Sequence, residues 1–163
     1  MNGYWFSAIS GRRLTTPIRA VDERVLPFAP DQIWPVLADV NGYPRWYPPS
    51  LHLHVRAVTA AGIGSEVELR PRGGRAFRCR VESLAAPRRL RLRYPGDFIM
   101  GTGEWRLDAA PGGTRVTYEI DVVATGRLAV LLGWLLPLGK IHSKFMREVL
   151  ESLEAEVRRR IIH

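Results

Sequence analysis

Arg89-Leu90-Arg91-Leu92-Arg93-Tyr94 alternates a charged residue with an apolar or aromatic one at every step. A period of two is the repeat of a β-strand with one wet face and one dry face. The neighbouring stretches carry the same pattern. Leu51, Leu53, Val55 and Ala57 alternate with His52, His54 and Arg56. Val67 and Leu69 alternate with Glu66, Glu68 and Arg70; Phe77, Cys79, Val81 and Ser83 alternate with Arg78, Arg80 and Glu82. Arg72-Gly73-Gly74-Arg75 reads as a hairpin turn between two of these strands. A further strand is predicted from Phe98 to Leu107, and Pro111-Gly112-Gly113 turns the chain into a last one, Thr114–Val123. Short turns between successive strands predict an antiparallel sheet.

Working outward, a first strand fits Ile18–Leu26. Phe28-Ala29-Pro30-Asp31 then opens a helix, with Asp31 in the first turn, where its charge suits the helix dipole. Ile33, Trp34, Leu37 and Val40 follow at helical spacing, and Asn41-Gly42 is predicted to end that helix. Tyr43 to Pro49 is expected to hold a second short helix. At the other end the pattern switches to helical over Arg127–His163, with Ile141, Phe145, Val149, Leu153 and Val157 on one face and a break near Pro137. Lys144 with Glu148, and Glu154 with Arg158, stand four apart on the predicted solvent side.

The predicted fold class is α+β: a curved antiparallel sheet of about seven strands around a long C-terminal helix, with two short helices after the first strand. The apolar sheet face needs a cover, and the final helix is the only element long and apolar enough to supply it. Curvature holds part of the sheet off the helix, and the space between them is the predicted ligand site. Residues 1–17 show no sustained period and read as an N-terminal extension; residues 18–163 read as one ligand-binding domain.

Composition narrows the function classes. The chain has 163 residues, one domain's worth. Its one cysteine, Cys79, rules out an internal disulfide and a zinc site built on cysteines. The net charge is +8, and all but two of the 24 basic residues are arginines, Lys140 and Lys144 being the exceptions. Such a balance favours anionic partners. Aromatics and arginines alternate to opposite faces, however, so nucleic acid is not the expected partner. The longest apolar stretch, Leu128–Leu138, would span about 16 Å as a helix, short of a bilayer core. It reads as a buried or interfacial segment. The start, Met1 to Phe6, lacks the basic lead of a secretory signal, and a cytoplasmic location is expected, with a peripheral membrane association left open.

Several stretches carry a resemblance. They are Phe28-Ala29-Pro30-Asp31-Gln32-Ile33-Trp34, Ala38 to Trp46, Gly101-Thr102-Gly103-Glu104-Trp105-Arg106-Leu107 and Gly112 to Tyr118. Over about Arg19–Arg160 the chain resembles the START-like, or SRPBCC, superfamily. That superfamily includes the birch-pollen-allergen fold, polyketide cyclase/dehydrase-like proteins and coenzyme Q-binding START-like proteins. The resemblance implies a helix-grip fold with a hydrophobic cavity that binds lipids, quinones, hormones or polyketides. Aromatase/cyclase members carry an inward arginine late on the strand matching Phe77–Leu84. Here the predicted inward positions are Phe77, Cys79, Val81 and Ser83, so that arginine is missing.

Candidate site residues follow from parity and from the resemblance. Leu69, Phe77, Cys79, Val81, Leu92, Tyr94, Trp105 and Tyr118 are predicted to face inward and line the cavity. Trp46 and Tyr47 are placed at its mouth. Gly101 and Gly103 share the parity of Trp105, and their missing side chains leave either ligand volume or a bulge. His142 borders the helix's apolar face with Met146 one turn on; it is a weak candidate for a general base, with no carboxylate evident to orient its ring. Cys79 among apolar neighbours reads as a packing thiol. His52 and His54 share a strand face, but no third ligand is evident, so neither metal nor cofactor is expected.

The leading expectation is binding, with or without transfer, of a hydrophobic small molecule such as a lipid, quinone or polyketide. One alternative is a cyclase/dehydrase-type enzyme using the same cavity. Another is an interaction module acting through Leu128–Leu138. Trp134 with Arg127, Lys140 and Lys144 suggests an anionic membrane surface as a further partner. Oligomeric state is not legible.

Overall fold

The alternating segments pair in the antiparallel sense throughout. A computed structural model describes residues 15–96, 98–127, 131 and 135–162. Seven strands form one sheet: β1 (Thr15–Leu26), β2 (Leu51–Ala57), β3 (Glu66–Pro71), β4 (Phe77–Ala85), β5 (Arg89–Pro95), β6 (Ile99–Ala110) and β7 (Gly113–Thr125). Their order across the sheet is β1-β7-β6-β5-β4-β3-β2. Consecutive strands from β2 to β7 are therefore hairpin neighbours, and β1 returns to pair with β7. This is the α+β architecture expected, with the strand count correct. β1 begins at Thr15, three residues before the predicted start.

Two short helices follow β1. Helix α1 spans Pro30–Ala38, with Pro30 in its first turn and the Gln32 side chain accepting a hydrogen bond from the Ala29 amide. Asn41 and Gly42 do not end it; they belong to a 3-10 helix, Val40–Arg45. The reason is Asp39, whose Oδ1 accepts from the Gly42 amide at 3.0 Å and caps a new turn. A Cβ on Gly42 would overlap the Asp39 carboxylate that caps this turn, coming within 2.9 Å of its Cγ, so the turn needs glycine.

The C-terminal helix α2 runs Leu138–Ile162. Val149, Leu153 and Val157 are fully buried in the same core cluster as Leu26, Leu37, Leu107 and Val116. Ile141 departs from the expected apolar face and is 38% exposed. Glu148 reaches Ser50 rather than Lys144, by a short hydrogen bond, while the Glu154–Arg158 pair forms at 3.1 Å.

One end of α2 is tied down by charge. Glu156 is buried and accepts from Arg159 at 2.8 Å and from Arg160 at 2.9 Å. Arg160 also reaches Asp39 Oδ2 at 3.2 Å, joining α2 to the cap of the 3-10 helix. On the outer sheet face arginines pair with carboxylates: Arg80 with Glu66 at 2.9 Å, Arg91 with Glu82 at 3.1 Å, and Arg19 with Asp121 at 3.0 Å. Exposed pairs such as Arg19–Asp121 contribute little to stability, while Glu66 is buried beneath Arg80; together the pairs account for the arginine rows as a solvated face.

The predicted parity fails at the end of β2, where the pairing with β3 shifts register between Val55 and Ala57 and leaves Ala57 exposed, and again within β4. Its pairing with β5 shifts register between Val81 and Ser83. Two residues there oppose one, so the alternation inverts. Ser83 is exposed and Leu84 packs on the core instead.

Candidate functional site

The inner sheet face is aromatic and built row by row. Asp22 of β1, Tyr118 of β7 and Trp105 of β6 are register partners across three adjacent strands. Cross-strand partners share a face, so all three point toward α2. Tyr118 and Trp105 pack with ring centroids 4.7 Å apart. Tyr118 Oη and Tyr94 Oη share a short hydrogen bond in the buried interior, and Phe77 packs on Tyr94 with centroids 5.9 Å apart. Burial pushes the Tyr94 and Tyr118 hydroxyls well above their ordinary pKa, so both stay protonated.

Neither outcome expected of the two glycines, ligand volume or a bulge, is found: their side-chain space is filled, and β6 pairs on both sides without a register shift. A Cβ on Gly103 would overlap the Tyr118 hydroxyl and come within 3.2 Å of Tyr94 Cε2. The phenol pair occupies that space. Gly101 has φ +144°, and a Cβ there would come within 2.7 Å of Val122 Cα in β7. It is glycine for backbone reasons.

The sequence-selected residues come together. Leu69, Cys79, Val81, Leu92, Tyr94, Trp105, Tyr118 and Met146 are buried in one cluster, with Phe77 and Tyr47 half-buried against it. Trp46 is not at a rim: it is 6% exposed, inside a trio with Tyr43 and Tyr47. Its indole Nε1 is buried and makes no hydrogen bond. Cys79 is buried and its thiol is pushed up to about 12 by burial, which agrees with packing rather than reactivity. His52 and His54 sit on the outer face of β2, exposed, and no metal-binding cluster occurs among the described residues.

His142 has the partner that sequence did not reveal. Its Nδ1 stands 3.3 Å from Asp22 Oδ2. Both atoms are buried, and among the described residues neither has another hydrogen-bond partner. The imidazole also stacks on Tyr118, centroids 5.8 Å apart and planes 22° from parallel. Burial lowers the His142 pKa, and Asp22 partly opposes that shift. The missed signal was parity: Asp22 shares the inward register of Ile18 and Ala20, where a carboxylate needs a reason.

Packing is tight at one end of α2 and looser at the other. Phe145 and His142, toward the helix start, retain accessible surface, although Met146 beside them is buried, whereas Val149, Leu153 and Val157 retain none. Of the apolar segment Leu128–Leu138, Leu131, Leu135 and Leu136 are exposed, Leu135 at 68%. Trp134 lies outside the described residues.

Residues 17–158 match the family model described as "Polyketide cyclase / dehydrase and lipid transport". The chain belongs to that family. Solved structures agree with this cyclase/dehydrase and lipid-transport fold. A START superfamily protein from Mycobacterium smegmatis is 17% identical, with TM-score 0.60, covering 88% of this chain and 97% of its own. A protein from Thermus thermophilus is 22% identical, with TM-score 0.64, covering 87% of this chain and 97% of its own. The di-domain ARO/CYC StfQ from the steffimycin biosynthetic pathway is 15% identical, with TM-score 0.66; 90% of this chain covers 52% of that one. At these identities the likeness is one of fold. None of the curated proteins matches the sequence.

Proposed function

We propose that this family member binds an apolar small molecule between the inner sheet face and the N-terminal half of α2. The observation that carries the reading is the packing gradient along α2. A helix that only covered a sheet would be buried as fully at Phe145 and His142 as it is at Val149 and Leu153. The aromatic lining, with few polar groups, is what such a site requires. The buried Trp46 Nε1 without an acceptor adds a donor for a ligand oxygen. The lipid, quinone and polyketide classes all fit an aromatic lining with one or two donors. The test is native mass spectrometry of the purified protein, followed by titration with 1-anilinonaphthalene-8-sulfonate read through probe and tryptophan fluorescence. Saturable binding weakened by Phe145→Asp is the expected result. No binding by wild type overturns the reading.

A membrane supplies the second part of the reading. Exposed Leu131, Leu135 and Leu136 adjoin exposed Arg127, Lys140 and Lys144 on a chain of net charge +8. No helix among the described residues is long and apolar enough to cross a bilayer, so the fitting mode is docking on an anionic surface. Co-sedimentation with phosphatidylserine vesicles should fall with salt and with Leu135→Glu; sedimentation indifferent to both would remove the membrane from the proposal.

A further inference from the structure

Among the described residues the sheet ends at β1, which pairs with β7 on one side and with no strand on the other. Parity fixes which backbone groups of β1 face that open edge. In β7 the odd-numbered residues turn toward β6: the Thr125 amide donates to the Phe98 carbonyl at 2.9 Å, and the Asp121 carbonyl lies against Gly101. Residues of a strand bond alternately to its two neighbours, so the even-numbered residues of β7 bond to β1. Their register partners are even as well, Leu26 with Thr114 and Asp22 with Tyr118. The odd-numbered residues of β1 therefore direct their N–H and C=O groups to the open edge. Pro17, which has no N–H to give, falls in that set.

The same odd-numbered residues carry the outer-face side chains. Pro17, Arg19, Val21, Glu23 and Val25 are all exposed, Val21 at 60% and Val25 at 44%. An edge strand of 12 residues with exposed valines is a template for another strand. β1 pairs with β7 without a register shift, so no bulge turns its edge aside. Arg19 and Glu23 have partners within the protomer, Asp121 at 3.0 Å and Arg115 at 3.8 Å, but in exposed pairs that hold them weakly. On the inner side a groove of about 310 Å³ runs between β1 and α2, lined by Asp22, Glu23, Arg24, Ser143, Arg147 and Leu150, so α2 does not close over the middle of β1. At Arg19 the first turn of α2 comes near, and Gly139 keeps side-chain bulk off the edge: a Cβ there would lie 3.1 Å from the Arg19 carbonyl oxygen.

The edge is complementary to itself. A two-fold axis at Val21, with the two strands antiparallel, sets Val21 against the partner's Val21, Arg19 against the partner's Glu23, and Pro17 against the partner's Val25. Apolar residues then meet apolar ones, and opposite charges meet twice. All the residues so paired are odd-numbered, so they bond through groups that already face the edge, Pro17 alone lacking a donor. Sliding the register by two residues either way sets Val21 against a charged side chain. An axis at Arg19 or at Glu23 sets like charges together. On the inner side the register centred on Val21 sets Ala20 against the partner's Asp22 and Ile18 against the partner's Arg24, with no like charges opposed.

We propose that β1 pairs in this register with β1 of a second copy of the chain, giving a two-fold dimer whose two sheets run on as one. The axis stands perpendicular to the sheet, so both α2 helices lie on the same side of it. The inference goes beyond the ligand-binding reading and does not depend on it.

Sedimentation velocity over a concentration series, in about 0.15 M salt, is the first test. Wild type should pass from monomer to dimer as concentration rises. Val21→Lys, which sets two ammonium groups at the axis, should keep it monomeric. Arg19→Glu and Glu23→Arg should each weaken association by about tenfold or more, because both cross-strand pairs become like-charged. Mixed in equal amounts, these two variants should associate again, since the introduced carboxylate faces the introduced guanidinium and the native pair re-forms. The register has its own readout. Opposed residues of a bonded pair have Cα atoms about 5.5 Å apart, within disulfide range. Val21→Cys should therefore give a linked dimer on mild oxidation and Val25→Cys should not; Cys79 is buried. A wild type that stays monomeric up to about 1 mM overturns the proposal. So does a dimer that Val21→Lys leaves intact, a mixture that associates no better than its components, or equal linking by the two cysteine variants.

Discussion

Gly103 leaves the space that Tyr118 fills. A Cβ built on Gly103 would overlap the Tyr118 hydroxyl and lie 2.9 Å from Cζ, too close for either group to stay in place. Gly103→Ala should therefore destabilise the fold by about 1–3 kcal/mol through overpacking. Adding Tyr118→Phe removes the nearest atom, so the double variant should recover part of that loss. Urea denaturation of the four proteins in this cycle measures the coupling; strict additivity would show that the two side chains do not compete for one space.

The Asp22–His142 contact predicts a pH dependence near neutrality. Burial holds the folded-state His142 pKa below its usual 6.5. The unfolded chain then binds the proton more readily, so stability should be full above about pH 6.5 and fall as pH drops toward the folded pKa. His142→Gln should flatten that slope. Urea midpoints measured between about pH 8 and about pH 5 check this, and an equal slope in the variant would assign the effect elsewhere.

Glu156 predicts a second, more acidic window. Hydrogen bonds from Arg159 and then Arg160 lower its pKa to about 2 against the opposing effect of burial. A carboxylate with a depressed folded pKa stabilises above its unfolded value, about 4.3, and that stability is lost as pH falls toward about 2. Arg160→Ala should cost about 1.5–3 kcal/mol, the range for hydrogen bonds to a charged group, and shift acid unfolding to higher pH. Circular dichroism during acid titration reads both effects.

Cys79 should resist alkylation in the native protein. Its thiol is pushed up to about 12, so thiolate is scarce at neutral pH. Iodoacetamide labelling followed by mass spectrometry should be slow in buffer and complete in denaturant. Rapid labelling in buffer would mean that β4 opens or that the thiol is not enclosed.

The strands were legible because each repeats a local rule. The charged-apolar alternation at Arg89–Tyr94 fixes the inner set Leu90, Leu92 and Tyr94 without reference to anything distant. The rule broke where a bulge inserted a residue after Val81, since register belongs to a pair of strands and not to one. The apolar spacing of Val149, Leu153 and Val157 likewise specified the covering face of α2.

Tertiary structure alone decided the site. Asp22 and His142 lie toward opposite ends of the chain, and only β1–β7 pairing with α2 laid across it brings them within 3.3 Å. The role of Gly103 was hidden for the same reason: what fills a missing side chain is set by the strands beside it, here by Tyr118 and Tyr94. Periodicity records which face a residue takes, because that depends on backbone geometry within one element. It does not record which residues of other elements meet on that face, because those contacts come from packing over long sequence separation.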